Sequence, residues 1–537
     1  MSKLFSLLRA TMSEGMQLFN YRAKNARTKR TMPILLGLLI GAMMLFSATA
    51  VTAGLKEDGA ESAILSLYTL VTAVIIVTEG IYKSGDLLFK PRDNDTLLAM
   101  PIKKSTIVLV RMIKFYVFEL LYCLIFLLPA IIAYAINVEV EASYYLVSAT
   151  MLLLVPVIPI AISCIVGLIT TAISARFKHK TLLQVILSFG FLFVLAIMVL
   201  GLNASSDFNG RSMIAISNKA TEFYYPASSF VELATQFNLW QYLIFIGVNL
   251  AVLAVTVFII SRFYFQIVTR ISTMKRAKSA STDYKFTKHG QTSAIVRKEL
   301  NRYFSTPVLM VNTAMGLVLF LVAVGALCFK FDDFAASLTS SIENFPLTVD
   351  DLYSYMPSVA FALVAFASLM TFITVNMISL EGRAFNMLKS MPISGKKVLM
   401  AKVLAAMLLI VPVTTLGSIA IFIRFQFGIL EVILILVAVI AVPLVTELIG
   451  ILINLKYARF DAESDAVVVK QSAGVMAATF LGLGMVLVTI PLAFVIVFLT
   501  GQTVGLIMMD AIFIIVSAFL YFAIATRGEE KYTKLTA

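Results

Sequence analysis

Residues 97–104 read Leu-Leu-Ala-Met-Pro-Ile-Lys-Lys, and residues 388–395 read Leu-Lys-Ser-Met-Pro-Ile-Ser-Gly. The first stretch follows the second long apolar segment of the chain, and the other follows the eighth. In both, a basic residue stands ten positions past the proline: Arg111 after Pro101, and Lys402 after Pro392. Ala-Arg-Phe likewise occurs at 175–177, after the fourth apolar segment, and at 458–460, after the tenth. Two six-helix units in the same orientation account for all of these placements.

Working outward, apolar segments cover about 32–54, 62–82, 107–136, 143–173, 182–202, 238–265, 307–329, 353–379, 398–423, 428–455, 472–499 and 503–526. Each is long enough to cross a bilayer as a helix. The 537 residues are 60% hydrophobic and only 14% charged, against about 25% charged in soluble domains, so lipid is the natural solvent. The expected fold is an all-α polytopic membrane protein with about twelve transmembrane helices arranged as two parallel six-helix repeats. The expected division is a first half over 1–268, a polar linker over 269–291 and a second half over 292–537. Pro156, Pro159 and Pro443 are candidate helix breaks.

Of the 43 lysines and arginines, 38 fall in the segments on one side of this topology. That bias predicts cytoplasmic termini, and it assigns the net charge of +13 to membrane orientation and lipid headgroups, with no nucleic-acid partner. Each half opens with an amphipathic stretch. In 1–30 the residues Leu4, Leu8, Met12, Met16 and Phe19 recur at helical spacing, and the basic run follows them instead of preceding them, unlike a signal peptide. In the second half Val296, Leu300, Tyr303 and Phe304 alternate with Arg297, Lys298, Glu299 and Arg302.

Catalytic motifs are missing. The Gly395–Lys396 pair is followed by Lys397, and Ser390 stands where a phosphate loop needs its first glycine. Cys123, Cys164 and Cys328 lie in apolar stretches without a C-x-x-C pattern, and His179 and His289 sit in basic loops. The chain is therefore expected to be no enzyme and to carry no metal or cofactor of its own. Intramembrane acids mark polar sites by default. Glu79 lies near a span end and Glu119 is within reach of Lys114, which leaves Glu447 and Asp510 as the possible intramembrane polar sites.

Ile378-Ser379-Leu380-Glu381-Gly382-Arg383-Ala384-Phe385, running on to Leu388-Lys389-Ser390-Met391-Pro392-Ile393, resembles the segment after the second helix of a permease half in the ABC-2-type exporter superfamily. Asp93-Asn94-Asp95 with Leu97–Ile102 resembles the same loop of a first half. Leu455-Lys456-Tyr457-Ala458-Arg459-Phe460, with Glu463 and Val468-Val469-Lys470-Gln471, resembles the loop before the eleventh helix. The likeness is closest to fused twelve-helix permeases of Gram-positive bacteria.

The resemblance implies a plasma-membrane exporter permease that pairs with a separate ABC-type ATPase, two copies of it, with ATP and magnesium on that partner. It implies coupling helices at about 86–102 and 381–396, involving Leu97, Leu98, Met100, Pro101, Ile102, Glu381, Leu388, Met391, Pro392 and Ile393. The cargo is expected to be amphipathic, lipid-like or a peptide. Because the first half has Ser84-Gly85-Asp86 and a longer loop where the second has Glu381-Gly382, the two coupling sites are expected to be unequal. A secondary, ion-coupled transporter with two six-helix halves shares the topology. Against it, the 83–104 loop lacks the Gly-rich Asp-Arg-Gly signature of that superfamily, and buried acids are sparse.

Overall fold

In the computed structural model the described residues are 26–56, 59–84, 101, 104–173, 190, 210–280, 290–341, 349–460 and 465–535. All regular structure among them is helical, and ten helical segments are long and apolar enough to cross a membrane. The first apolar segment lies on a further 31-residue helix, α1 (Ala26–Lys56). The fifth, 182–202, apart from Gly190, and residues 1–25 of the amphipathic stretch fall outside the described residues.

The chain divides into two compact units, Met1–Tyr284 and Lys285–Ala537. The first holds α1, α2 (Ala63–Ser84), α3 (Lys104–Tyr122), α4 (Leu128–Asn137), α5 (Ala142–Leu154), α6 (Val157–Ile173), α7 (Gly210–Phe223), α8 (Tyr225–Thr235) and α9 (Leu239–Ala280). Prolines shape two of its spans. Pro129 has no N–H to donate, and a π-helical turn at Cys123–Leu127 joins α3 to α4 just before it. Pro156 separates α5 from α6 within the fourth span. Between the fifth and sixth apolar segments, residues 210–235 carry α7 and α8, which pack against α2; Ser217 and Ser66 share a hydrogen bond of 2.7 Å. The predicted linker also begins late, because α9 runs on to Ala280.

The second unit holds α10 (Gln291–Ser305), α11 (Pro307–Ser341), α12 (Val349–Ser354), α13 (Met356–Leu369), α14 (Thr374–Met377), α15 (Phe385–Ser390), α16 (Gly395–Phe425), α17 (Ile429–Lys456), α18 (Asp465–Gln471), α19 (Ala473–Thr500), α20 (Gln502–Ala523) and α21 (Glu529–Lys534). The same neighbours recur within each unit. Second and fourth spans pack together as α2 with α6 and as α13 with α17; fourth and sixth as α6 with α9 and as α17 with α20; first and third as α1 with α4 and as α11 with α16.

One contact fixes the register of the repeat. Gly167 and Gly450 each stand eight residues before their Ala-Arg-Phe. A Cβ on Gly167 would strike Ser84 Oγ, and a Cβ on Gly450 would strike Thr374 Oγ1. Only glycine lets the fourth span approach the second so closely. With Ser84 and Thr374 equated, Pro101 follows by 17 residues in one unit and Pro392 by 18 in the other. The first loop is therefore not the longer one, contrary to the reading from Ser84-Gly85-Asp86.

Candidate functional site

The segment between the second and third spans of the second unit is a folded module. Gly382 takes a positive φ of 53°, which turns the chain out of a 3-10 turn at Ser379–Ala384 and into α15. Ser394 ends the module by accepting a hydrogen bond from Lys397 N–H and capping α16. Phe385 is buried; its ring stacks on Phe460 at 4.6 Å and meets Tyr532 edge-on at 5.3 Å. Lys389 donates to the main-chain carbonyls of Thr533 and Leu535, which ties the module to the chain's end.

With its inner face so occupied, the module turns other apolar groups outward. Met391 is 44% exposed, Pro392 is exposed and Ile393 is half-buried. Met387, which the sequence pattern did not single out, is 67% exposed. Leu388 and Glu381, both expected on the coupling surface, are corrected here: Leu388 faces the core because Phe385 and Leu388 share one side of a short helix, and Glu381 is buried at the module's root.

That root is an ion cluster. Glu381 accepts from Lys298 at 2.5 Å, Arg302 at 2.9 Å and Lys402 at 2.7 Å. Lys402 is wholly buried on α16 and also donates to Glu299 at 2.7 Å and to the Met377 carbonyl at 3.0 Å. The cluster thus joins α10, the module and α16. Burial works against the Arg302 charge, but the hydrogen bond and charge of Glu381, with Glu299, hold its pKa above the ordinary arginine value. Burial pushes the neighbouring Tyr303 phenol up to about 12.

One level further into the span, the second helix is broken. The chain leaves helical geometry between Leu369 and Thr374, and α17 supplies the missing partners. Glu447 Oε1 accepts from Ile373 N–H at 3.0 Å and Oε2 from Thr374 N–H at 2.8 Å, while the Thr374 hydroxyl donates to the Glu447 carbonyl at 2.7 Å. Two turns on, Asn454 Oδ1 accepts from Ile378 N–H and Ser379 N–H at 2.7 and 3.3 Å. Glu447 is thereby a brace for broken backbone, which cannot be left unsatisfied in lipid.

In the first unit the corresponding level carries a different cluster. Lys83 on α2 lies 2.5 Å from Glu79 and donates to Glu119 on α3 at 3.1 Å; the Tyr122 hydroxyl donates to Glu79 at 2.5 Å. Glu119 thus pairs across helices with Lys83, where sequence proximity had pointed to Lys114. Arg111, the counterpart of Lys402 by its offset from proline, is buried and donates to the Tyr264 hydroxyl on α9. Of the coupling residues expected here, Pro101 is exposed; Leu97, Leu98, Met100 and Ile102 lie outside the described residues.

A family model described as a membrane protein of 12 TMs matches residues 29–526. The chain belongs to this family. Comparison with curated proteins and with solved structures gave no match.

In this twelve-span membrane protein, Asp510 remains apart from the clusters above. It sits on α20, 4% exposed, and neither carboxylate oxygen has a hydrogen-bond partner among the described residues. No group of three or more histidine, cysteine, aspartate or glutamate side chains suited to a metal ion occurs among the described residues. Sequence reasoning missed the lysine–carboxylate clusters. Their trace was nevertheless present: Glu299 shares a helix face with Val296 and Tyr303, and Lys402 interrupts an apolar run seven residues into its helix.

Proposed function

We propose that this chain is the membrane-spanning permease subunit of an ABC exporter. It moves an amphipathic, lipid-like or peptide cargo across the plasma membrane, and a separate ABC-type ATPase, in two copies, binds ATP and magnesium. Both termini face the cytoplasm in this reading, which the distribution of basic residues supports. The observation that supports it best is the rooted module of the second unit. A motor on another chain needs a short rigid element that projects apolar groups and passes force to the spans. Met387, Met391 and Pro392 project; Glu381, Lys298, Arg302 and Lys402 join the module's base to α10 and α16. The lack of a phosphate-loop motif in the sequence supports hydrolysis on another chain. Reconstituted alone, the chain should show no ATPase activity above background; activity without a co-purifying subunit would refute the proposal.

Asp510 favours one other reading, a secondary transporter driven by an ion gradient, since an unpartnered buried carboxylate is costly unless it serves a purpose. Transport that persists after ATP depletion and collapses with an ionophore would select it.

A further inference from the structure

Asp510 and Ser358 lie on two helices that pack together, α20 and α13. The rings of Phe361 on α13 and Phe513 on α20 meet at 6.3 Å. These helices are the eighth and twelfth spans, so they cross in the same sense. Ser358 lies three residues before Phe361, and Asp510 three residues before Phe513; positions three apart share a helix face. The carboxyl and the hydroxyl therefore stand at one level, a turn beyond the ring pair. Ser358 is 2% exposed, and its hydroxyl, like both Asp510 oxygens, has no partner among the described residues.

Among the described residues, the elements packed against α20 place no counter-charge beside Asp510. The packed cluster at this level is Phe361, Leu506, Met509, Phe513 and Val486. Of the elements packed against α20, α13 and α19 carry no titratable side chain. On α17 the titratable groups are Glu431 at the start, Glu447 bonded to the broken backbone and Lys456 at the end; the π-helical turn after α20 carries Arg527. On α20 itself the other titratable side chain is Tyr521, eleven residues away.

We infer that Asp510 and Ser358 form a proton-binding site, with Asp510 carrying the proton in this conformation. An ionised carboxylate in such apolar surroundings neutralises itself by taking up a proton. The neutral carboxyl and the hydroxyl can satisfy one another through one water or a small rotation. The inference holds whether transport is driven by ATP or by an ion gradient.

The test is covalent labelling of the full-length protein, purified in lipid nanodiscs, with dicyclohexylcarbodiimide, which reacts with protonated carboxyls in apolar settings. Peptide mapping should find the adduct on Asp510 and none on Glu447, whose oxygens both hold N–H groups. Labelling should fall about tenfold per pH unit above the group's midpoint. Sodium and potassium ions should give no protection. D510N should lose the adduct, and S358A should keep it to higher pH, because removing the hydroxyl further disfavours the ionised form. No Asp510 adduct at any pH, a pH-independent yield, protection by sodium or potassium, or an unchanged profile in S358A would each overturn the proposal.

Discussion

Lys402 Nζ and Glu381 Oε1 lie 2.7 Å apart, although one belongs to a membrane-spanning helix and the other to the turn that leaves the preceding span. The pair is buried on both sides, and Glu299 makes a second 2.7 Å contact with the same lysine. Breaking a buried pair by removing one partner typically costs about 3–5 kcal/mol. We therefore expect Lys402→Met to lower the unfolding free energy by about 3 kcal/mol, read as a drop in thermal midpoint. Glu381→Gln should cost less on the Lys402→Met background than alone, since the contact it would break with Lys402 is already gone. Equal, additive losses in a double-mutant cycle would show that the two residues do not interact.

The brace on the broken helix has its own signature. Glu447→Gln keeps one acceptor but faces the second main-chain N–H with a donor, at a cost of about 1–3 kcal/mol. Hydrogen exchange at Ile373 and Thr374 should accelerate while exchange in the middle of α16 stays slow. Unchanged protection at those two amides would contradict the contacts seen.

Gly167 and Gly450 test the repeat. Alanine at either should force the fourth span from the second, and overpacking of this kind costs about 1–3 kcal/mol. Alanine at Gly484, where nothing lies within 4 Å, should be neutral by comparison. Similar losses at Gly167 and Gly450 are expected; tolerance at one would mean that the two units do not share this packing.

How much of this was legible beforehand follows from range. Hydropathy and the lysine–arginine bias are local or summed properties, so the multi-pass helical fold could be read directly. The outward face of the 388–393 module was half legible: Met391 and Pro392 point out as expected, but Leu388 does not, because a six-residue helix is amphipathic and its alternate face must pack. The ion cluster was not legible, since Lys402 meets Glu299 from 103 residues away. The helix break at Leu369–Thr374 was hidden for a related reason. It contains no proline or glycine, and it exists because Glu447, 73 residues on, can replace the lost backbone bonds.

The proposal of an external motor stands or falls on the exposed face of the module. The decisive measurement is affinity purification of the tagged chain from native membranes, wild type beside Met387→Glu with Met391→Glu, with quantification of any co-purifying subunit that carries a phosphate loop. Both methionines are surface groups, so the thermal midpoint of the double variant should match wild type, whereas Leu388→Glu buries a carboxylate and should destabilise the unit. We expect an ATP-binding subunit with the wild type and its loss from the double variant at unchanged stability. Wild-type protein that purifies without such a subunit, or a double variant that retains it in full, would contradict the account.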